Sequence, residues 1–110
     1  MTSVVRVLQP NGVLDGNSAN DLGTEIINHI QADIKIVLLD FDKVTFMNSS
    51  GIGALVSALK ATKKSGGDLC ICSLSAQVRE IFKITKLDKL FKVFESRESF
   101  NQTVNAGALA

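Results

Sequence analysis

Hydrophobic residues change their spacing several times along the chain, and each change predicts a new structural element. Short, β-branched or continuous apolar runs, typical of buried strands, alternate with stretches whose apolar residues recur every three or four positions, typical of helices. The strand-like runs are Val4–Leu8, Ile34–Leu39, Asp68–Cys72 and Lys92–Phe94, and the helix-like stretches are Ser18–Ala32, Ser50–Lys64, one that Ser75 caps and a short one from Ser96. This alternation predicts an α/β fold with a mostly parallel sheet of four to five strands and about four helices.

Two shorter apolar segments, Val13–Leu14 and Val44–Phe46, lie between the predicted strands and helices. Val4–Leu8 is stopped by the residues Gln9–Gly12, and Val13–Leu14 then resumes the apolar pattern. Because Pro and Gly interrupt strands, we expect one kinked strand at the edge of the sheet. Val44–Phe46 leads from a turn into the second helix.

The composition narrows the class of protein. The chain has 110 residues, which predicts a single domain spanning 1–110, with an ordered core at about 4–104 and a frayed end at 105–110. Twelve basic and eleven acidic residues give a net charge of +1, so no direct nucleic-acid partner is indicated. The N-terminal residues lack the features of a secretory signal, and no apolar run approaches the ~20 residues of a membrane span. We therefore expect a cytoplasmic protein without a membrane partner.

Two adjacent hydroxyls, on Ser49 and Ser50, lie where the second helix is predicted to begin, directly after a strand. The first N–H groups of a helix lack intrahelical partners and carry the positive end of the helix dipole, so this position favours an anion. A phosphate on Ser49 would add about −1.5 to −2 charge to the surface there. Asn and Ser are also ordinary N-caps, so the chemistry of the loop leaves both interpretations open. Asp15 follows Val13–Leu14, and it could approach the two serines from a neighbouring loop.

Catalysis and metal binding find little support in the sequence. A nucleophilic serine needs a base within hydrogen-bond reach, and His29 is the single histidine of the chain. The serines match neither the G-x-S-x-G nucleophile elbow nor a phosphate-binding glycine loop. Cys70 and Cys72 point to one face of a predicted strand and are expected to be buried apolar residues, since a Cys-x-Cys pair with one histidine is a poor metal site. We expect no catalytic residue, no cofactor and no metal.

The segment Asp40–Gly53 resembles the signature loop of the STAS-domain anti-sigma factor antagonists of bacteria, which typically reads F/Y-M-D-S-[ST]-G-[LI]-G. Three further segments, Asn11–Asp15, Lys63–Leu69 and Val78–Leu87, resemble the family's first turn, its lysine-rich helix end with a double glycine, and its third helix. Each motif is weak by itself, but their order and spacing agree. The resemblance covers roughly Val4–Val104 and implies a STAS-like single domain.

The resemblance also implies a function, that of a phosphorylation-controlled switch and not an enzyme. In this family the unphosphorylated protein binds an anti-sigma factor that is commonly a serine kinase, and so releases a sigma factor. The kinase phosphorylates the serine that corresponds here to Ser49, and a PPM-type serine phosphatase removes the phosphate. Ser50 is expected to be a helix cap more than an acceptor. The residues expected to face the partner are Asp15, Asn48, Ser50, Gly51, Ile52 and Gly53.

Two departures from the family pattern affect these expectations. Asn48 stands where the family has Asp, which removes a carboxylate beside the acceptor serine. We expect the additional N-terminal strand of many relatives to be missing or shortened, which would expose a sheet edge and allow a homodimer through strand pairing. The alternatives to the switch are an interaction scaffold of the same fold in a sensor or signalling assembly, with Ser49 unphosphorylated, and a serine-dependent enzyme.

Overall fold

The computed structural model describes residues 5–105 of the chain. The predicted strand residue Val4 and most of the tail predicted to fray, 106–110, lie outside the described residues. The elements in chain order are β1 (Val5–Leu8), β2 (Asn11–Leu14), α1 (Gly16–Gln31), β3 (Ile36–Asp40), β4 (Lys43–Met47), α2 (Ser49–Lys64), β5 (Asp68–Cys72), α3 (Ala76–Thr85), α4 (Leu87–Leu90), β6 (Lys92–Phe94) and α5 (Arg97–Asn105).

Four strands form the main sheet, in the order β1-β3-β5-β6, and every neighbouring pair is parallel. The central strand β3 is buried along its whole length, as its continuous apolar run predicts. The predicted α/β class with a mostly parallel sheet is confirmed. The described residues contain five helices, since α4 is a separate short helix that the sequence pattern did not predict.

The strands β2 and β4 form a second, two-stranded parallel sheet, which we call the β2–β4 ribbon. The prediction that Val4–Leu8 and Val13–Leu14 make one kinked strand is therefore wrong, because they belong to different sheets. The turn between β1 and β2 contains Pro10, which cannot donate a ladder hydrogen bond, and Gly12 has a φ of +72°, which favours glycine. The chain consequently leaves the main sheet at this turn.

The main sheet separates a large core from a small one. Helices α1 to α4 cover one face with apolar side chains such as Ile26, Leu55 and Phe82. On the other face, Phe100 of α5 closes a small cluster with Cys70 and Cys72. Both cysteines are buried, as predicted, and burial raises the pKa of Cys70 to about 12, so its thiol stays protonated. None of the helices within residues 5–105 combines the length and apolar character required to cross a membrane.

Candidate functional site

The β2–β4 ribbon brings two helix starts together. Its strands are parallel and pair Leu14 with Met47 at their ends, and each strand leads directly into a helix. The backbone N–H of Asn48 donates to the carbonyl of Leu14 at 3.2 Å. The starts of α1 and α2 are so close that a Cβ placed on Gly16 would lie 3.2 Å from Cβ of Ser50. Asp15 and the Asn48–Ser50 segment, which are far apart in sequence, therefore lie at one surface.

Asn48, and not Ser50, is the N-cap of α2. Its backbone is extended, with φ −92° and ψ 177°, and its Oδ1 accepts a hydrogen bond from the N–H of Gly51 at 2.8 Å. The helix begins at Ser49, one residue before the predicted start, and Ser50 lies within the first turn. The expectation that Ser50 is the cap is wrong, since the extended residue that precedes a helix is the one whose side chain reaches back to the third N–H.

Gly51 allows α2 to approach the ribbon closely. A Cβ on this residue would lie 2.0 Å from the carbonyl oxygen of Leu14, a distance that no real side chain can occupy. Gly51 is accordingly buried, in contrast to the expectation that it faces a partner. Its absent side chain sets the spacing between the ribbon and the start of α2. Gly53, two residues later, is exposed and has open space around it.

Asp15 caps α1 in the same way, but with a charge. Its carboxylate accepts hydrogen bonds from the N–H of Ser18 at 2.9 Å and from the Ser18 hydroxyl at 3.0 Å, while its own N–H donates to that hydroxyl. These bonds form a reciprocal capping box. The Ser18 N–H, followed by the Ser18 hydroxyl, holds the pKa of Asp15 below its usual range. Asp15 is exposed and stays ionised at neutral pH.

The remaining predicted residues divide between surface and core. Ser49 and Ser50 are both exposed, so their hydroxyls are open to an enzyme or a partner. Ile52 is partly buried and packs against the large core. Of the predicted partner-facing residues, Asp15, Asn48, Ser50 and Gly53 are exposed together with Ser49. Neither the first turn of α2 nor its N-cap contains an acidic residue, so no carboxylate of this segment compensates the helix dipole there.

Two apolar side chains that the sequence analysis did not single out complete this surface. Val13 and Phe46 are paired across the ribbon and are 51% and 43% exposed. Their neighbours Leu14 and Met47 point the other way and are buried. The available sequence signal was that Val13–Leu14 and Phe46–Met47 each place neighbouring side chains on opposite faces of a strand. Which of the two faces is exposed depends on how the ribbon packs. We call the exposed pair the ribbon patch.

The arrangement does not support a serine–histidine catalytic pair. His29 lies in the last turn of α1, thirteen residues beyond Gly16, the residue of α1 that lies beside Ser50. At 1.5 Å per residue, it is about 20 Å along the helix from the serines. A general base has to lie within hydrogen-bond reach of its nucleophile, so His29 cannot activate Ser49 or Ser50 in this structure.

The STAS domain family matches residues 2–100, nearly the whole chain. The chain belongs to the STAS domain family. The fold described above, with a ribbon that carries two helix starts beside a parallel sheet, is thus the STAS fold, as the sequence resemblance implies.

Curated STAS relatives carry regulatory names. The chain is 28% identical over 88 residues to BtrV of Bordetella bronchiseptica, a candidate anti-sigma factor antagonist by its name, and this match covers 80% of the chain and 76% of BtrV. It is 41% identical over 56 residues to the anti-sigma-B factor antagonist of Bacillus subtilis, a match that covers 51% of the chain and 49% of that protein.

Two of the similar solved structures are of the anti-sigma factor antagonist SpoIIAA. One is the unphosphorylated form, and the other is the phosphorylated form, described as a Bacillus cell fate determinant. The unphosphorylated form superposes with a TM-score of 0.67 at 19% identity, covering 94% of this chain and 92% of SpoIIAA. The phosphorylated form gives 0.66 at 20% identity, covering 94% of both chains. At this level of identity the likeness shows a shared fold.

Proposed function

We propose that this protein is a cytoplasmic anti-sigma factor antagonist that binds a kinase-type anti-sigma factor and loses that affinity when Ser49 is phosphorylated. The observation that carries the proposal is the exposed Ser49 hydroxyl at the start of α2, which has a neutral cap and no acidic residue in its first turn and lies near the α1 start and the ribbon patch. The names of the relatives and the two forms of SpoIIAA support it. The chain acts as one domain, 1–110, by binding and not by catalysis.

A phosphate on Ser49 suits the local structure. The N–H groups of the first helical turn lack intrahelical partners, and Asn48 already satisfies that of Gly51. A phosphate can be received by the remaining groups and by the helix dipole without disturbing the core. The charge of the phosphate therefore affects the binding of a partner to this surface and not the stability of the fold.

The same phosphate is unfavourable in an interface. It adds about −1.5 to −2 charge beside the carboxylate of Asp15 and close to the exposed apolar residues Val13 and Phe46. A partner that packs against the ribbon patch would have to desolvate that charge, which costs affinity unless a cation compensates it. A PPM-type serine phosphatase would restore the binding form.

Phosphorylation with the cognate kinase and ATP tests the acceptor. We expect one phosphate, on Ser49, by mass spectrometry. Ser49→Ala should abolish incorporation with little change in stability, since the capping oxygen belongs to Asn48. Ser50→Ala is the matched control, because it removes the neighbouring exposed hydroxyl and should leave incorporation intact. Phosphate on Ser50, or none with an active kinase, would favour the scaffold over the switch.

Calorimetric titration against the anti-sigma factor tests the effect on affinity. We expect the phosphorylated protein to bind at least ~10-fold more weakly, which corresponds to a loss of ~1.4 kcal/mol. Equal affinities of the two forms would contradict the proposal.

The ribbon patch provides an independent test of where the partner binds. Phe46→Ser should weaken binding by about tenfold or more, since aromatic residues, Phe among them, are enriched at the cores of protein interfaces. Ile84→Ser is the control, because Ile84 is 74% exposed but lies on α3. Similar losses for both variants would place the interface elsewhere.

A homodimer stays a prediction. Within the described residues β1 is an edge strand of the main sheet, paired on one side with β3. Its outer side offers backbone groups for a second copy. Light scattering of the protein at several concentrations decides between monomer and dimer.

A further inference from the structure

Asp40, the last residue of β3, is the single buried charged side chain within residues 5–105, with 5% of its surface exposed. Burying a carboxylate is unfavourable unless cations and hydrogen-bond donors compensate it. Asp40 ends the central strand, and the whole of β4 lies between it and the exposed serines along the chain.

Three donors converge on this carboxylate. Arg97 Nε lies 2.6 Å from Oδ2, and Gln9 Nε2 lies 3.4 Å from the same oxygen. The backbone N–H of Asp42 donates to Oδ1 at 3.0 Å. Gln9 and Arg97 are 31 and 57 residues from Asp40 in sequence, so the carboxylate joins three distant segments.

Two of the three donors lie just before the strands of the β2–β4 ribbon. Gln9 lies two residues before β2, and Asp42 lies immediately before β4. The carboxylate of Asp40 therefore holds the roots of both ribbon strands, whose far ends carry Asp15 and Ser49. Arg97 is the first residue of α5, the helix on the opposite face of the main sheet.

We propose that Asp40 is a positioning residue that fixes the angle at which the β2–β4 ribbon leaves the main sheet, and that Arg97 makes this angle depend on the docking of α5. The ribbon strands span about 13 to 17 Å at ~3.3 Å per residue. A tilt of a few degrees at their roots displaces the far ends by about 1 Å, enough to change the fit of an interface. Only this last step, the effect on a partner, rests on the proposed function.

A purely structural ion pair would behave differently. Loss of such a pair lowers the stability of the whole domain and accelerates hydrogen exchange at all well-protected amides together. Loss of a positioning contact accelerates exchange at the ribbon more than in the main sheet. The two roles are separated by the ratio of two exchange rates in one variant.

The described structure offers a matched control. Lys92 and Asp68 form a second ion pair, at 2.8 Å, between β6 and β5. Within residues 5–105, neither side chain forms a hydrogen bond with Gln9 or Asp42. Arg97→Gln and Lys92→Gln each remove one cation from an ion pair, and both side chains are about half exposed, at 49% and 48%.

The experiment is amide hydrogen exchange by NMR on the unphosphorylated protein without a partner. The reporter is the N–H of Asn48, which bonds to the Leu14 carbonyl between the ribbon ends. The reference is the N–H of Leu38 in the central strand β3. In Arg97→Gln we expect the exchange of Asn48 relative to Leu38 to rise about fivefold, and in Lys92→Gln we expect a change of less than about twofold.

Two more variants make the result specific. Asp40→Asn should reproduce the rise, and the double variant Asp40→Asn, Arg97→Gln should show little beyond it, since both changes break one contact. Arg97→Lys, which keeps the cation, should restore part of the protection. An unchanged exchange ratio in both Arg97→Gln and Asp40→Asn, or an equal rise in Lys92→Gln, would overturn the proposal.

The affinity for the anti-sigma factor distinguishes the positioning role of Asp40 from the proposed function of the protein. We expect Arg97→Gln to weaken binding of the anti-sigma factor by about fivefold, or ~1 kcal/mol. A raised exchange ratio with unchanged affinity would uphold the positioning of the ribbon by Asp40 and would count against the ribbon as the binding surface. An unchanged ratio would overturn the positioning role, whatever the affinity.

Discussion

The two helix starts at the end of the β2–β4 ribbon are built alike but carry different charges. At the start of α1, Asp15 caps the helix with a carboxylate that is fixed in a capping box with Ser18. At the start of α2, Asn48 caps with a neutral amide oxygen, and the following residues are two exposed serines. One positive helix end therefore has a carboxylate in its own cap, and the adjacent one has none in its cap or first turn.

Under the proposed function, this difference leaves the start of α2 free to receive the charge of a phosphate. Compensation of the α1 start is always present at neutral pH, because hydrogen bonds hold the pKa of Asp15 below its usual range. Compensation of the α2 start would be supplied or withdrawn with a phosphate on Ser49. The neutral cap at Asn48 leaves that position open, whereas the family's Asp would compensate it in part.

The largest expected effect comes from changing the spacing that brings the two starts together. Gly51→Ala would place a Cβ against the backbone carbonyl of Leu14, and we expect a loss of about 1–3 kcal/mol in the free energy of unfolding. Gly53→Ala is the control: it lies in the same helix with open space around it and should stabilise by about 0.5–1 kcal/mol. Urea denaturation of both variants measures the difference. Equal stability changes would show that the approach of α2 to Leu14 is not tight.

A smaller effect is expected from the neutral cap itself. Asn48→Ala removes the oxygen that accepts the Gly51 N–H and should cost about 1 kcal/mol. Asn48→Asp keeps that oxygen and adds a charge, so its stability should match or slightly exceed that of the parent. The Asn48→Asp variant should be phosphorylated on Ser49 at a different rate, because the start of α2 would then have a carboxylate cap, as the start of α1 has. An unchanged rate, followed by mass spectrometry, would show that the kinase ignores the charge at this position.

The smallest effect concerns the charged cap and appears as a pH dependence. The pKa of Asp15 is lower in the folded than in the unfolded chain, so ionisation stabilises the fold. This contribution is present above the unfolded pKa, about 3.9, and is lost as the pH falls through the folded pKa. Asp15→Asn cannot titrate, so its melting temperature should lie below that of the parent at pH 7 and approach it in strong acid. A difference that is independent of pH would contradict the capping role of the charge.

Several features of the site follow from local sequence. The helix start after β4 was predicted within one residue, because caps and apolar periodicity are local signals. The resemblance on Asp40–Gly53 correctly implied the STAS fold. The identity of the cap was missed, since Asn48, Ser49 and Ser50 are all good caps and only the backbone angles at Asn48 decide among them. The exposure of Val13 and Phe46 was missed for a related reason, because each strand of a ribbon has two faces and its sequence does not say which one is covered.

The amino-acid sequence by itself determined the alternation of strands and helices, the buried central strand, and the loop that carries Ser49, because each depends on residues close together in the chain. Only the tertiary structure decided that β2 pairs with β4 and not with the main sheet, that the start of α1 lies beside the start of α2, and that Asp40 meets Arg97 57 residues away. These contacts depend on strand register and on the packing of whole elements. Such long-range pairings are selected by the total burial they allow, which no short segment encodes.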